Sequence, residues 1–123
     1  MSTILLSINP EYVEKIFNGS KKYEFRKTTT KRKVDKIYIY CTSPIKKVVG
    51  TASVEETLED RPNKIWNLTK NDAGINKSFF DEYYKNEDKA IAYKLTNIHV
   101  FKTPKELKHY GINSAPQSFM YMN

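Results

Sequence analysis

Apolar and polar positions recur along this chain with two periods, and the places where the period changes predict its elements. Thr3 to Ser7 is a short apolar run of strand length. Asn9-Pro10 then reads as the N-cap and first residue of a helix, because asparagine can accept an orphan N–H and proline has none to lose. Tyr12, Val13, Ile16 and Phe17 follow at helical spacing, and Gly19 supplies a left-handed stop. From Lys21 to Lys27 the period falls to two, with Tyr23 and Phe25 on one side and Glu24 and Arg26 on the other, the pattern of a half-buried strand. Thr28 to Val34 is a polar, basic loop. Lys36 to Cys41 reads as a central strand broken at Pro44, and Lys47 to Leu58 as another that turns acidic at Glu55, Glu56, Glu59 and Asp60.

A helical pair comes next. Pro62 to Lys70 carries Ile65, Trp66 and Leu68; Asn76 caps Lys77 to Lys85, where Phe79, Phe80, Tyr83 and Tyr84 fall at helical spacing. Lys89 to Phe101 is the longest strand candidate. Thr103-Pro104-Lys105-Glu106 has the form of a capping box with proline at the first helical position, which predicts a third helix region stopped at Gly111. Pro116 to Tyr121 closes the chain as a short strand. No repeat or linker interrupts the series, so one domain over residues 1–123 is expected. The order β-α-β-β-β-α-α-β-α-β, without a regular βαβ repeat, predicts an α+β fold, a mixed β-barrel decorated with short helices.

Composition adds exclusions. At 123 residues, 39% hydrophobic and 13% aromatic, the chain can bury one real core. A single cysteine, Cys41, excludes an intrachain disulfide and a cysteine-cluster zinc site, and His99 and His109 have no spaced partner. No metal and no cofactor are expected. The first ten residues lack a basic segment followed by a long apolar one, and no run is long enough to span a bilayer, so a cytoplasmic protein without membrane contact is expected.

Charge changes the picture more. The net charge is +7, and residues 1–50 hold eleven Lys/Arg against four Asp/Glu, so the whole excess lies there. A one-sided basic region predicts a polyanionic partner, although a solvated lysine face would look the same. Within that region the octet Gly19-Ser20-Lys21-Lys22-Tyr23-Glu24-Phe25-Arg26 concentrates the candidate chemistry. Lys21 offers a point charge for phosphate. Arg26 offers a planar fork for phosphate or for Glu24, and Glu24 can meet a base edge or orient a lysine.

The octet fits the pattern G-x-K-x-x-E-x-R and resembles the signature of the ASCH family, whose fold is similar to the PUA domain. The stretches ILLSINPEYVEKIFNG, IYIYCTSP, VVGTASVEE and PQSF resemble further elements of that family, so the likeness covers nearly the whole chain. It implies a PUA-like barrel and a basic cleft that binds RNA or a nucleotide, with DNA as another possible partner, in a transcription- or translation-associated setting. Gly19, Lys21, Glu24 and Arg26 would bind the ligand. Gln117 and Ser118 would wall the cleft by the same resemblance; apart from it, the basic excess would place Lys22, Lys27, Lys31, Arg32 and Lys33 against phosphate, and Tyr40 would join the cleft wall as an aromatic residue able to stack on a base.

Enzymatic readings stand beside binding. Some small ASCH proteins resemble amidohydrolases that deacylate N4-acetylcytidine, with a threonine three places after the lysine as nucleophile; here Glu24 holds that place and lacks the hydroxyl. Another branch is linked to ribonuclease activity. In either case Lys21 and Glu24 would be the catalytic pair, as base and acid. The plainer alternatives are that Glu24 and Arg26 only pair with each other, that Tyr38 and Tyr40 are barrel wall, that Trp66 and Cys41 are core, and that the acidic stretch and aromatic helix dock another protein.

Overall fold

The continuous apolar run of the first strand explains where the core forms. In the computed structural model, which describes residues 2–122, β1 (Ser2–Ile8) turns Ile4, Leu6 and Ile8 to one face and Leu5 to the other, and all four are buried. A strand apolar on both sides belongs inside the sheet. β1 pairs in parallel with β3 (Val34–Cys41) and antiparallel with β6 (Phe119–Tyr121). Between β1 and β3 run α1 (Pro10–Phe17) and β2 (Tyr23–Arg26). β4 (Lys47–Asp60) leads to α2 (Pro62–Thr69) and α3 (Lys77–Tyr83), and then to β5 (Ala90–Lys105). The six strands form one mixed sheet in the order β2-β5-β4-β3-β1-β6, curled into a half-barrel with three short helices. This is the α+β, PUA-like architecture expected.

Two cores flank the sheet's curl. Ile4, Leu6 and Ile8 pack with Ile37, Ile39 and Cys41 of β3 and with Val13 and Ile16, the buried stripe of α1. Each fully buried aliphatic side chain contributes about 1.5–3 kcal/mol relative to exposure. The second core fixes the helical pair: Phe80 of α3 packs against Phe25 of β2, Trp66 of α2 and Tyr84, with ring centroids 5.3, 5.0 and 4.7 Å away. Tyr40 belongs to a third, smaller cluster with Leu5 and Val48, so it is core and not a cleft wall.

Asn76 caps α3 as expected, its side chain accepting from the Phe79 N–H at 2.8 Å. Two local expectations fail. Asn9 makes no side-chain cap; its Oδ1 instead accepts from the Thr42 hydroxyl at 3.3 Å. Thr103 to Glu106 opens no α-helix, because β5 runs on to Lys105. Val48 pairs with Lys105 and Gly50 with Val100, so one residue of β4 faces four of β5. Pro104 sits in that irregularity, where no ladder N–H is required of it. A single three-ten turn over Leu107–Tyr110 follows, and Gly111 ends it with φ +73°.

Candidate functional site

The curled sheet leaves two edges, β2 and β6, without a ladder between them, and Arg26 bridges that seam. Its Nη2 donates to the Ser7 carbonyl of β1 at 2.8 Å and to Glu24 Oε2 at 2.8 Å; its Nη1 donates to Ser118 Oγ, just ahead of β6, at 3.3 Å. Ser7 is tied to the same segment by its own N–H to the Ser118 carbonyl and its hydroxyl to the Pro116 carbonyl. Arg26 Nε is buried without a partner.

Lys21 enters from the connection between α1 and β2. Only 3% of the residue is exposed. Its ammonium donates to the Ala73 carbonyl at 2.9 Å, lies 3.9 Å from Glu24 Oε1, and stands 4.7 Å and 5.5 Å from the ring centres of Phe25 and Tyr12. Burial pushes this lysine below the usual ammonium range, and the neighbouring Glu24 carboxylate opposes that only in part. The segment that receives it depends on Gly74, whose φ is +71°; a Cβ there would lie 2.4 Å from Lys21 Cβ. Lys15 reinforces the contact by donating to the Gly74 carbonyl at 2.9 Å.

Lys21, Glu24 and Arg26 thus converge on a cavity of about 330 Å³. It lies at the carboxyl ends of the parallel pair β1 and β3, where Ser7, Asn9 and Thr42 line it. Tyr12, Phe79 and Tyr83 supply aromatic wall, and Gln117 a primary amide. Burial raises the phenols of Tyr12 and Tyr83, so both stay protonated donors. A larger depression of about 720 Å³ lies by the start of α2, but the charged groups along it, including Asp60, Asp81, Glu87 and Asp88, are not buried.

The remaining sequence candidates lie elsewhere. Gly19 forms the expected left-handed turn, φ +86°, outside the cavity lining. Lys22, Lys27, Lys31, Arg32 and Lys33 are exposed and do not line the cavity. Lys27 covers the Tyr83 ring at 4.7 Å, and Arg32 covers that of Tyr121 at 4.3 Å. The cavity itself therefore holds two cations and one carboxylate, and most of the basic excess sits outside it. Sequence reasoning missed Ser7, Asn9, Thr42 and the Ala73-Gly74-Ile75 segment, and took Tyr12, Phe79 and Tyr83 for helix faces. The available signal was the set of polar residues at strand carboxyl ends, where ligands of open mixed sheets gather.

A family model described as a domain of unknown function, DUF365, matches residues 1–115. The chain belongs to that family. The crystal structure of the ASCH protein from Zymomonas mobilis superposes with a TM-score of 0.88 at 27% identity, covering 98% of this chain and 87% of that one. This chain is thus also an ASCH-type domain. Among curated proteins, the ASCH domain-containing ribonuclease of Zymomonas mobilis is 29% identical over 122 residues, 96% of this chain and 82% of that protein. The large ribosomal subunit protein uL22 of Ureaplasma parvum serovar 3 is 33% identical over 121 residues, 98% of this chain. The ASCH chain spans only 39% of that relative's length. No helix among the described residues is long and apolar enough to cross a membrane.

Proposed function

We propose that this domain binds single-stranded RNA in the cytoplasm and draws one nucleotide into the cavity of Lys21, Glu24 and Arg26. The observation that carries this reading is the convergence of two cationic heads and one carboxylate on a hollow of about 330 Å³. That volume lies at the small-ligand end of binding pockets and suits one nucleotide unit better than a duplex. Lys21 and Arg26 supply the cationic donors for a phosphate or ribose oxygen in that hollow. The exposed Lys22, Lys27, Lys31, Arg32 and Lys33 would then contact flanking phosphates. The likeness to an ASCH ribonuclease supports an RNA ligand.

The test is fluorescence anisotropy with labelled oligoribonucleotides across a salt series. Affinity should fall with a log–log slope of about −0.7 per phosphate neutralised. Lys21→Met should weaken binding strongly, whereas neutralising Lys31, Arg32 and Lys33 together should flatten the slope. Affinity indifferent to salt and to Lys21→Met removes the reading.

RNA cleavage is the second reading, favoured by the depressed ammonium of Lys21. A lysine that has lost its proton can accept one from a ribose 2′-hydroxyl. The 2′-oxygen then bonds the adjacent phosphorus, the bond to the 5′-oxygen breaks, and water protonates the departing oxygen. A substrate with 2′-deoxyribose at the scissile position should bind but stay intact; its cleavage would exclude this step.

A further inference from the structure

We propose that Phe79, with Tyr12 beside it, is a stacking platform for one unpaired base at the rim of the cavity. The proposal rests on the RNA reading above and names the part of the nucleotide that this wall receives. Among the described residues, five large apolar side chains stand exposed: Ile45, Leu68, Phe79, Ile98 and Val100. Phe79 is the aromatic one, and of the five it alone lines the cavity. It is 47% exposed although the neighbouring Phe80 is fully buried. An aromatic ring set in solvent at a cavity edge is an unusual placement, and it fits a surface that a guest covers.

The backbone that carries the ring is held firmly. The Phe79 backbone N–H donates to Asn76 Oδ1 at the start of α3, and Phe80, one residue on, anchors the helix between Phe25, Trp66 and Tyr84. Tyr12 meets Phe79 edge-on, with centroids 5.8 Å apart and planes at 65°. No other ring pairs with Phe79 among the described residues, so none lies parallel upon it. A preorganised aromatic platform loses little conformational freedom on binding.

The chemistry of the guest follows from what lies beside the ring. Phenylalanine has no polar atom, so it accepts any planar ring and reads no base identity. Lys21 and Arg26 in the same cavity favour an anion a short distance away. A planar heteroaromatic ring joined to a phosphate is a nucleotide unit, and the ring is free to stack only when unpaired. Tyr12 links the two halves of the cavity, since its ring also faces the Lys21 ammonium at 5.5 Å.

The experiment uses an oligoribonucleotide carrying one 2-aminopurine, whose fluorescence is quenched by stacking, and the same oligonucleotide with an abasic ribose at that place. Binding is measured for the unchanged protein and for Phe79→Ala and Phe79→Tyr, with melting temperatures to verify folding. Phe79→Ala should weaken binding of the intact oligonucleotide roughly tenfold or more, with the salt slope unchanged, and Phe79→Tyr should retain binding. The abasic oligonucleotide should bind the unchanged protein about as weakly as Phe79→Ala binds the intact one, and Phe79→Ala should bind it no worse. If Phe79→Ala binds the intact oligonucleotide as well as the unchanged protein does, the platform is refuted while RNA binding stands. If the unchanged protein binds no oligonucleotide, both readings fall.

Discussion

Gly74→Ala tests how Lys21 is held, because two other glycines separate the contributions. Gly19, Gly74 and Gly111 all have positive φ, +86°, +71° and +73°. A methyl group at Gly19 or Gly111 would meet nothing within 4 Å, whereas at Gly74 it would lie 2.4, 2.6 and 2.9 Å from Cβ, Cγ and Cα of Lys21. Left-handed backbone costs about 1–2 kcal/mol for an ordinary residue. Gly19→Ala and Gly111→Ala should lose only that. Overpacking adds about 1–3 kcal/mol, and no easy relief exists, since one clashing atom is backbone. Gly74→Ala should therefore lose about 2–5 kcal/mol, read as a melting temperature about 8–20 °C lower. Urea unfolding of the three variants gives the comparison, and RNA anisotropy on folded Gly74→Ala reports whether displaced Lys21 still serves the ligand. Equal losses at all three positions would refute the description of Lys21 as packed on Gly74.

Three further outcomes follow from the same contacts. The unfolded chain holds the Lys21 proton up to the ordinary lysine value of 10.5, while the folded chain releases it at lower pH. Between those points the unfolded state binds more protons, so stability gains with rising pH; the difference in urea-unfolding free energy between the unchanged protein and Lys21→Met should move toward the unchanged protein as the pH rises toward 10.5. Arg26→Met leaves Glu24 buried with only the Lys21 ammonium 3.9 Å away, so denaturant titration should show a loss of about 3–5 kcal/mol. Phe80→Ala removes the ring shared by Phe25, Trp66 and Tyr84 and should lose about 3–5 kcal/mol by the same measurement.

Local rules reached far into this fold. Pro10 at a helix start, Asn76 as a cap and the double-sided apolar run of β1 each follow from one residue's geometry or one period. The third helix region failed because Thr103 to Glu106 satisfies a capping pattern, while the long-range pairing of Lys105 with Val48 holds those residues in an irregular strand. The site divides the same way. Lys21, Glu24 and Arg26 stand close in sequence, so their charges were visible together. The carbonyl that receives Lys21 lies 52 residues away, at Ala73, and no period announces it. Alternation along β2 also placed Glu24 on a solvent face; it is buried because Arg26 and Lys21 close over it. Tyr40 looked like cleft wall because a strand's period does not tell which side carries the cavity.

A barrel fastened along one line by a guanidinium fork differs from one knitted all round by amides. Parting β2 from β1 breaks two hydrogen bonds of a single side chain, Arg26 to the Ser7 carbonyl and to the Ser118 hydroxyl, and no strand-to-strand ladder. The free energy of such a local opening is far below that of unfolding the whole sheet. Thermal breathing should therefore gather at the hollow, with the remaining strands acting as a stiffer frame around one compliant slit.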